Sequence, residues 1–195
     1  SLRALQNVEC DSALSAGVNM IMDPTPMRAM AVAGMTSATG RSHTFDSRAD
    51  GYARGEAVGV LALRRAADAE SASLQGSAVR QDGRSASLTA PNGQAQQGVL
   101  LAALMDAQLE ARAAGTLEAH GTGTSLGDPI EAGSLVGAMG ARDGAAATLA
   151  VGGVKANVGH AEPAAGMTGL LRLVVGLLGG AAAPNAQLQV INPHV

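Results

Sequence analysis

Two apolar runs near the start of the chain have the length and composition of buried β-strands. They occupy residues 13–22 and 57–65, and polar or proline-containing sequence bounds each of them. Neither proline of residues 23–26, DPTP, can donate to a sheet ladder, so this segment is predicted to end the first strand. The Met- and Ala-rich residues 27–39 predict a short helix that leads into a loop, and residues 74–80 predict a partner strand for the second run.

The rest of the chain alternates strands with helices. Residues 41–57 are polar and punctuated by glycine, which predicts a loop. Apolar residues at helical spacing predict a helix over residues 91–109, and a longer apolar stretch predicts another over residues 164–178. Short strands are predicted at residues 117–119 and 149–154. This alternation indicates a layered α/β protein.

A helix start is predicted at residues 128–131, DPIE. Asp128 can cap the first turn, Pro129 suits the first helical position, and Glu131 can reach back as in a capping box. We therefore expect a helix to begin at Asp128, directly after a loop rich in glycine and threonine.

Composition and charge exclude several classes of protein. Hydrophobic residues make up 47% of the 195, which fits a packed core, yet Phe45 and Tyr52 are the only aromatic residues. The 26 glycines predict tight turns and closely packed elements. The net charge is −3 and the basic residues are scattered, so neither nucleic acid nor an anionic membrane surface is an expected partner. Arg172 interrupts the longest apolar stretch, residues 166–183, which therefore predicts a buried helix and no membrane span.

A single cysteine, Cys10, excludes an internal disulfide and fits a reducing compartment. A cytoplasmic location is expected, and an organelle is also compatible with this composition. No initiator Met or apolar leader opens the sequence, so we expect Ser1 to be a cut within a longer protein.

Two of the four histidines share an arrangement. His120 and His160 each follow the end of a predicted strand and each lies in a glycine-rich loop that precedes a helix. Ligands of open α/β sheets bind beyond the carboxyl ends of the strands, so two neighbouring strands would deliver both imidazoles to one pocket. A structural role for each histidine is the alternative. His43 and His194 lack this setting and are expected to be surface or loop residues.

Two other kinds of site have little support. The two histidines are 40 residues apart, and the chain contains neither an HExxH motif nor a pair of cysteines, so no metal site is expected. Gly121-Thr-Gly123 follows a strand, but the next glycine, Gly127, comes one residue late for a GxGxxG dinucleotide fingerprint.

Longer motifs resemble those of one enzyme family. Residues 118–132, EAHGTGTSLGDPIEA, and 153–166, GVKANVGHAEPAAG, resemble the two histidine motifs of the β-ketoacyl synthase (ketosynthase) domains of type I polyketide synthases. Residues 45–56, FDSRADGYARGE, and 92–97, NGQAQQ, match further family signatures in the same order. The chain is therefore identified as a partial ketosynthase domain over residues 1–195.

The resemblance implies an incomplete thiolase-like fold, layered α/β/α/β/α and usually homodimeric. Residues 1–90 would be the end of its N-terminal half and residues 91–195 most of its C-terminal half. The implied reaction is a decarboxylative Claisen condensation of a malonyl-type unit with an acyl group held on an enzyme cysteine. The malonyl unit is carried on the phosphopantetheine of a partner acyl carrier protein, and no cofactor is expected to bind directly.

Residue roles also follow from the resemblance. His120 and His160 match the pair that binds the malonyl thioester carbonyl, and Lys155 matches a lysine that helps to position the second histidine. Thr122 and Thr124 match threonines that bind the pantetheine arm. The structural alternative for Lys155 is a surface position. For the two threonines it is a hydrogen bond to a backbone group of their own loop.

The nucleophilic cysteine of the family is expected upstream of Ser1. Cys10 resembles a non-catalytic family cysteine and precedes a strand instead of opening a helix, so it is not expected to replace the nucleophile. The chain alone is therefore predicted to be inactive in condensation. A fatty acid synthase condensing domain, or an inactive module for dimerisation or carrier binding, remains the alternative.

Overall fold

Four strands and six helices are found in the computed structural model, which describes residues 1–65, 72–85, 87, 90–140 and 148–195. In chain order the elements are α1 Leu2–Gln6, β1 Ser12–Asn19, α2 Pro24–Val32, β2 Ala57–Arg64, α3 Gly93–Asp106, β3 Thr116–Glu118, α4 Gly127–Met139, β4 Ala150–Gly152, α5 Lys155–Val158 and α6 Ala165–Gly179. Short 3-10 turns are found at Ala111–Ala113 and Glu162–Ala164.

The first two strands form an antiparallel pair. All eight residues of β1 pair with β2, from Ser12 opposite Arg64 to Asn19 opposite Ala57. Both strands were predicted, and the structure confirms them within three residues at each end. The predicted partner strand at residues 74–80 is wrong, because these residues form no strand in the structure.

Residues 74–80 instead run beside the end of α3. The Ser77 amide donates to the Asp106 carboxylate at 2.9 Å. In a sheet, this amide would have donated to a carbonyl oxygen of the neighbouring strand. A Cβ on Gly76 would lie 2.6 Å from the Ala107 nitrogen, which shows how closely the segment approaches the helix. The apolar pattern here reflects packing against α3.

Among the described residues, one face of the β1–β2 pair is covered and the other is not. On the covered face α6 approaches so closely that a Cβ on Gly59 would lie 2.7 Å from the Met167 side chain. The expectation that both strands are buried is wrong for one face, because alternate residues face solvent along each strand. The exposed apolar side chains on this second face include those of Leu14, Val18, Val58 and Val60.

The second pair, β3 and β4, is parallel, with Thr116 opposite Ala150 and Glu118 opposite Gly152. Helix α6 packs against β3 as well as against β1 and β2, so it joins the two sheets. The predicted helices at 91–109 and 164–178 are confirmed as α3 and α6. No helix in the described ranges combines the length and hydrophobicity that crossing a membrane requires.

Two helix starts differ from the prediction. Asp23 caps α2, which begins at Pro24, because proline suits the first helical position; the segment that ends β1 therefore also starts a helix. Helix α4 begins at Gly127, with no side-chain bond from its cap residue. The predicted capping box is wrong: Asp128 and Glu131 bind backbone amides of neighbouring loops.

Candidate active site

The parallel strands β3 and β4 deliver two histidines to one place. His120 lies two residues beyond the end of β3, and His160 follows β4 through the single turn of α5. The ring centroids lie 5.6 Å apart and the ring planes are nearly perpendicular, at 87°. The sequence predicted that neighbouring strands bring both rings together, and this is the arrangement that the structure has.

Charged side chains hold the His120 loop. Glu131, near the start of α4, accepts from the backbone amides of His120 at 2.6 Å and Gly121 at 2.8 Å. The Lys155 ammonium donates to the His120 carbonyl oxygen at 2.5 Å. Behind the loop, the buried Thr44 hydroxyl donates to the Gly121 carbonyl oxygen at 2.6 Å. Both peptide groups beside the ring are therefore fixed.

Main-chain hydrogen bonds hold the His160 loop. The His160 amide donates to the Ala53 carbonyl at 2.7 Å, and the Gly55 amide donates to the His160 carbonyl at 2.9 Å. The Tyr52 ring lies 4.9 Å from the imidazole. The Glu162 amide donates to Nδ1 of His160 at 2.9 Å, and an acceptor nitrogen carries no proton. The neutral ring is thus the tautomer with its proton on Nε2.

Both imidazoles are neutral at neutral pH. Burial, together with the Lys155 cation, lowers the pKa of His160 to about 4. Burial and the same cation lower the pKa of His120 to about 4. His120 is exposed to solvent, which weakens the effect of burial there, whereas His160 is half-buried. Each neutral ring offers one N–H donor.

Lys155 is buried among carboxylates. Only 5% of the residue is exposed, which contradicts the alternative of a surface lysine. Burial lowers the pKa of its ammonium, and Glu131, Glu118 and Asp128 oppose that shift. Its hydrogen bond goes to His120, although the sequence placed it beside the second histidine. The cation is therefore positioned to act on the backbone of His120 and on the charge state of both rings.

The two threonines of the His120 loop lie close together. Their Oγ1 atoms are 3.3 Å apart, Thr122 is buried, and the Thr124 hydroxyl accepts from the Gly127 amide at 3.1 Å. The Thr124 hydroxyl therefore satisfies a backbone amide at the start of α4, which is the structural alternative for this residue. Cys10 lies between α1 and β1 as a free thiol.

The two remaining histidines stand apart from the ring pair. His43 is a loop residue, as predicted, and only 7% of it is exposed because the loop packs behind Gly123. His194 is exposed near the end of the chain. In the described part of the chain, no group of three or more His, Cys, Asp or Glu residues could hold a metal ion.

Sequence reasoning missed an ion pair beneath the site. Glu118, at the end of β3, accepts from the Val154 amide and from the Arg172 guanidinium, both at 2.5 Å. This carboxylate therefore ties β3 to the turn after β4 and to α6. A lone arginine in an apolar helix and an acidic residue at a strand end were the available signals.

The fold and the site agree with solved ketosynthase structures. The oxazolomycin ketosynthase domain OzmH KS7 of Streptomyces albus JA3453 matches with a TM-score of 0.93 at 35% identity, over 99% of this chain and 35% of that one. The ketosynthase from module 6 of the bacillaene synthase of Bacillus subtilis 168 matches with a TM-score of 0.91 at 31% identity, over 100% and 36% of the two chains. The chain thus has part of the thiolase-like layered α/β fold of ketosynthase domains, an incomplete α/β fold as predicted.

Sequence comparisons give the family. The profile of the β-ketoacyl synthase N-terminal domain matches residues 1–69, and that of the C-terminal domain matches residues 71–189. The chain belongs to the β-ketoacyl synthase family, as its histidine motifs predicted.

The curated relatives are polyketide synthases. A phenolphthiocerol/phthiocerol polyketide synthase of Mycobacterium tuberculosis is 42% identical over 99% of this chain. The spectinabilin polyketide synthase system protein NorA' of Streptomyces orinoci is 42% identical over 100% of it. The chain spans only 11% and 6% of these relatives. These matches confirm the assignment to a ketosynthase domain of the polyketide type.

Proposed function

We propose that these residues form the malonyl-activating part of a polyketide ketosynthase. The observation that carries the proposal is the pair of neutral imidazoles 5.6 Å apart, one of which is fixed as the Nε2–H tautomer. Two N–H donors at that separation can bind one oxygen between them. Such donors suit a thioester carbonyl on which negative charge develops.

The reaction proceeds in two steps. The bond between the α-carbon and the carboxylate of a malonyl thioester breaks, CO2 leaves, and the electron pair passes into an enolate. His120 and His160 stabilise that enolate oxygen with preorganised N–H donors. The α-carbon then attacks an acyl thioester, a carbon–carbon bond forms, and a cysteine thiolate leaves.

Other residues of the site have supporting roles. Lys155 fixes the His120 backbone and, as a cation, favours the neutral form of both rings. Thr122 and Thr124 contact the phosphopantetheine arm of an acyl carrier protein; the Thr124 hydroxyl accepts one hydrogen bond and can still donate its own proton. A homodimer and a carrier protein are the proposed partners, with no directly bound cofactor.

Substitution of the histidines in the full-length protein that carries this chain tests the proposal. His120→Ala and His160→Ala should each slow CO2 release from a malonyl carrier about a hundredfold, because each removes one donor to the developing charge. His194→Ala is the matched control, since it removes an exposed histidine of the same chain. CO2 release at the wild-type rate in either active-site variant would show that the oxygen is bound elsewhere.

The 195-residue chain by itself should form no β-ketoacyl product. Its only thiol is Cys10, between α1 and β1, and the proposed second step requires an acyl-cysteine. Mass spectrometry of the purified chain incubated with acyl and malonyl carriers measures this. A new carbon–carbon bond in the product would contradict it.

A further inference from the structure

The side chains of an arginine and a glutamate form an ion pair beside His160. Arg54 donates to both carboxylate oxygens of Glu162, from Nε at 2.8 Å and from Nη2 at 2.9 Å. Their side chains are only 7% and 19% exposed, so solvent screens this pair weakly. The bidentate geometry also fixes the orientation of both groups.

The two partners depend on each other. Among the described residues, Nη1 of Arg54 is buried and has no hydrogen-bond partner. The Glu162 carboxylate therefore offsets the free-energy cost of burying the charged guanidinium of Arg54. Glu162 in turn has a φ of +42°, a backbone conformation that costs free energy in a residue other than glycine. An interaction outside the local backbone must hold it there.

The strained residue Glu162 also determines which ring nitrogen of His160 carries the proton. The Glu162 amide donates to Nδ1 of His160, and the described residues provide no hydrogen bond to Nε2. Arg54 also reaches the loop through its backbone, since it forms a parallel bridge with His160 itself. Arg54 thus contacts the histidine loop through its main chain and through Glu162.

We propose that the Arg54–Glu162 pair is a positioning device for His160, which holds the Glu162 amide against Nδ1 and so keeps the proton on Nε2. The inference rests on the proposed function for its catalytic consequence. The tautomer itself is independent of any reaction. Arg54 and Glu162 act here through another residue and touch no reacting atom.

The test uses three variants of the full-length protein that carries this chain. Arg54→Met removes the pair, and Arg54→Met/Glu162→Leu removes it without leaving a part-buried carboxylate unpaired, in case the single variant fails to fold. Arg48→Met is the matched control, because Arg48 also binds a carboxylate through Nε and Nη2, that of the fully buried Asp46.

Carbethoxylation by diethyl pyrocarbonate at pH 7.5 reports the tautomer, because the reagent is attacked only by a ring nitrogen that carries no proton. In the wild type, Nδ1 is covered by the Glu162 amide and Nε2 is protonated, so His160 should react slowly relative to His194. Loss of the pair should raise the relative rate of His160 modification. It should also lower kcat for malonyl decarboxylation about tenfold, which corresponds to the loss of one charge-assisted hydrogen bond, and leave KM little changed. Arg48→Met should leave both quantities unchanged.

The outcomes separate the two claims. Unchanged His160 modification in the double variant overturns the positioning role, whatever the activity. A wild-type protein that releases no CO2 overturns the proposed function, while the modification rates still decide the role of the pair. A fall in kcat with equal His160 modification would mean that the pair acts by some other route, and it too overturns the inference.

Discussion

The loop that carries His120 is held by charged side chains, whereas the loop that carries His160 is held mainly by backbone hydrogen bonds. Glu131 and Lys155 bind three backbone groups of the first loop. In the second loop, Ala53 and Gly55 exchange main-chain hydrogen bonds with His160. The two rings thus reach one pocket by different means, and the loops should respond differently to substitution.

Removal of Glu131 should have the largest effect on stability. Glu131→Ala leaves the His120 and Gly121 amides without their acceptor and removes a carboxylate beside Lys155, so we expect the free energy of unfolding to fall by about 2–4 kcal/mol. Urea denaturation measures this. Glu110→Ala is the control, because it breaks an exposed ion pair with Arg112 and should cost at most about 1 kcal/mol. Equal losses in the two variants would show that side chains do not hold the His120 loop.

Two glycines provide a smaller, paired test. Gly123 has a φ of +75°, and a Cβ there would lie 2.7 Å from the His43 nitrogen, so Gly123→Ala should destabilise the chain by more than about 1 kcal/mol. Gly133 lies on an exposed face of α4 with open space around it, so Gly133→Ala should stabilise it by up to about 1 kcal/mol. Thermal or urea denaturation measures the change in the free energy of unfolding for each variant, which should be a decrease for Gly123→Ala and an increase for Gly133→Ala. A neutral Gly123→Ala would mean that this loop adapts more easily than its packing indicates.

The pH dependence of stability tests whether the two imidazoles are neutral in the folded chain. The folded-state pKa of His120 and of His160 is about 4, below the ordinary value of 6.5. Between these values the unfolded chain binds protons that the folded chain does not. Their contribution to stability is therefore complete above pH 6.5 and is lost as the pH falls towards 4.

The measurement compares the wild type with His120→Asn/His160→Asn at pH 7.5, 6 and 5. The wild type should lose stability more steeply over this range. Burial raises the pKa of Asp128 and of Glu131, but both carboxylates remain in both proteins and cancel in the difference. Parallel curves would mean that the imidazoles titrate normally and that burial does not keep them neutral.

Much of the candidate site could be predicted from local sequence. His120 and His160 stand out because each follows a strand and lies among glycines, and Asn92 caps α3 as its residue type favours. Two of the errors share a cause, since each one assigned a local partner to a group that has a distant one. Glu131 was expected to bond within its own helix, and residues 74–80 were expected to pair with the strand before them.

Local sequence was enough to specify most of the elements, their order and the identity of the two histidines, because hydrophobic spacing, caps and motifs are properties of neighbouring residues. Long-range packing settled the pairing of β1 with β2, the burial of Lys155 and the tautomer of His160. The tautomer depends on the Glu162 amide, a group that every residue except proline carries. Backbone donors leave no mark in a sequence, and which acceptor they reach depends on contacts between residues far apart in the chain.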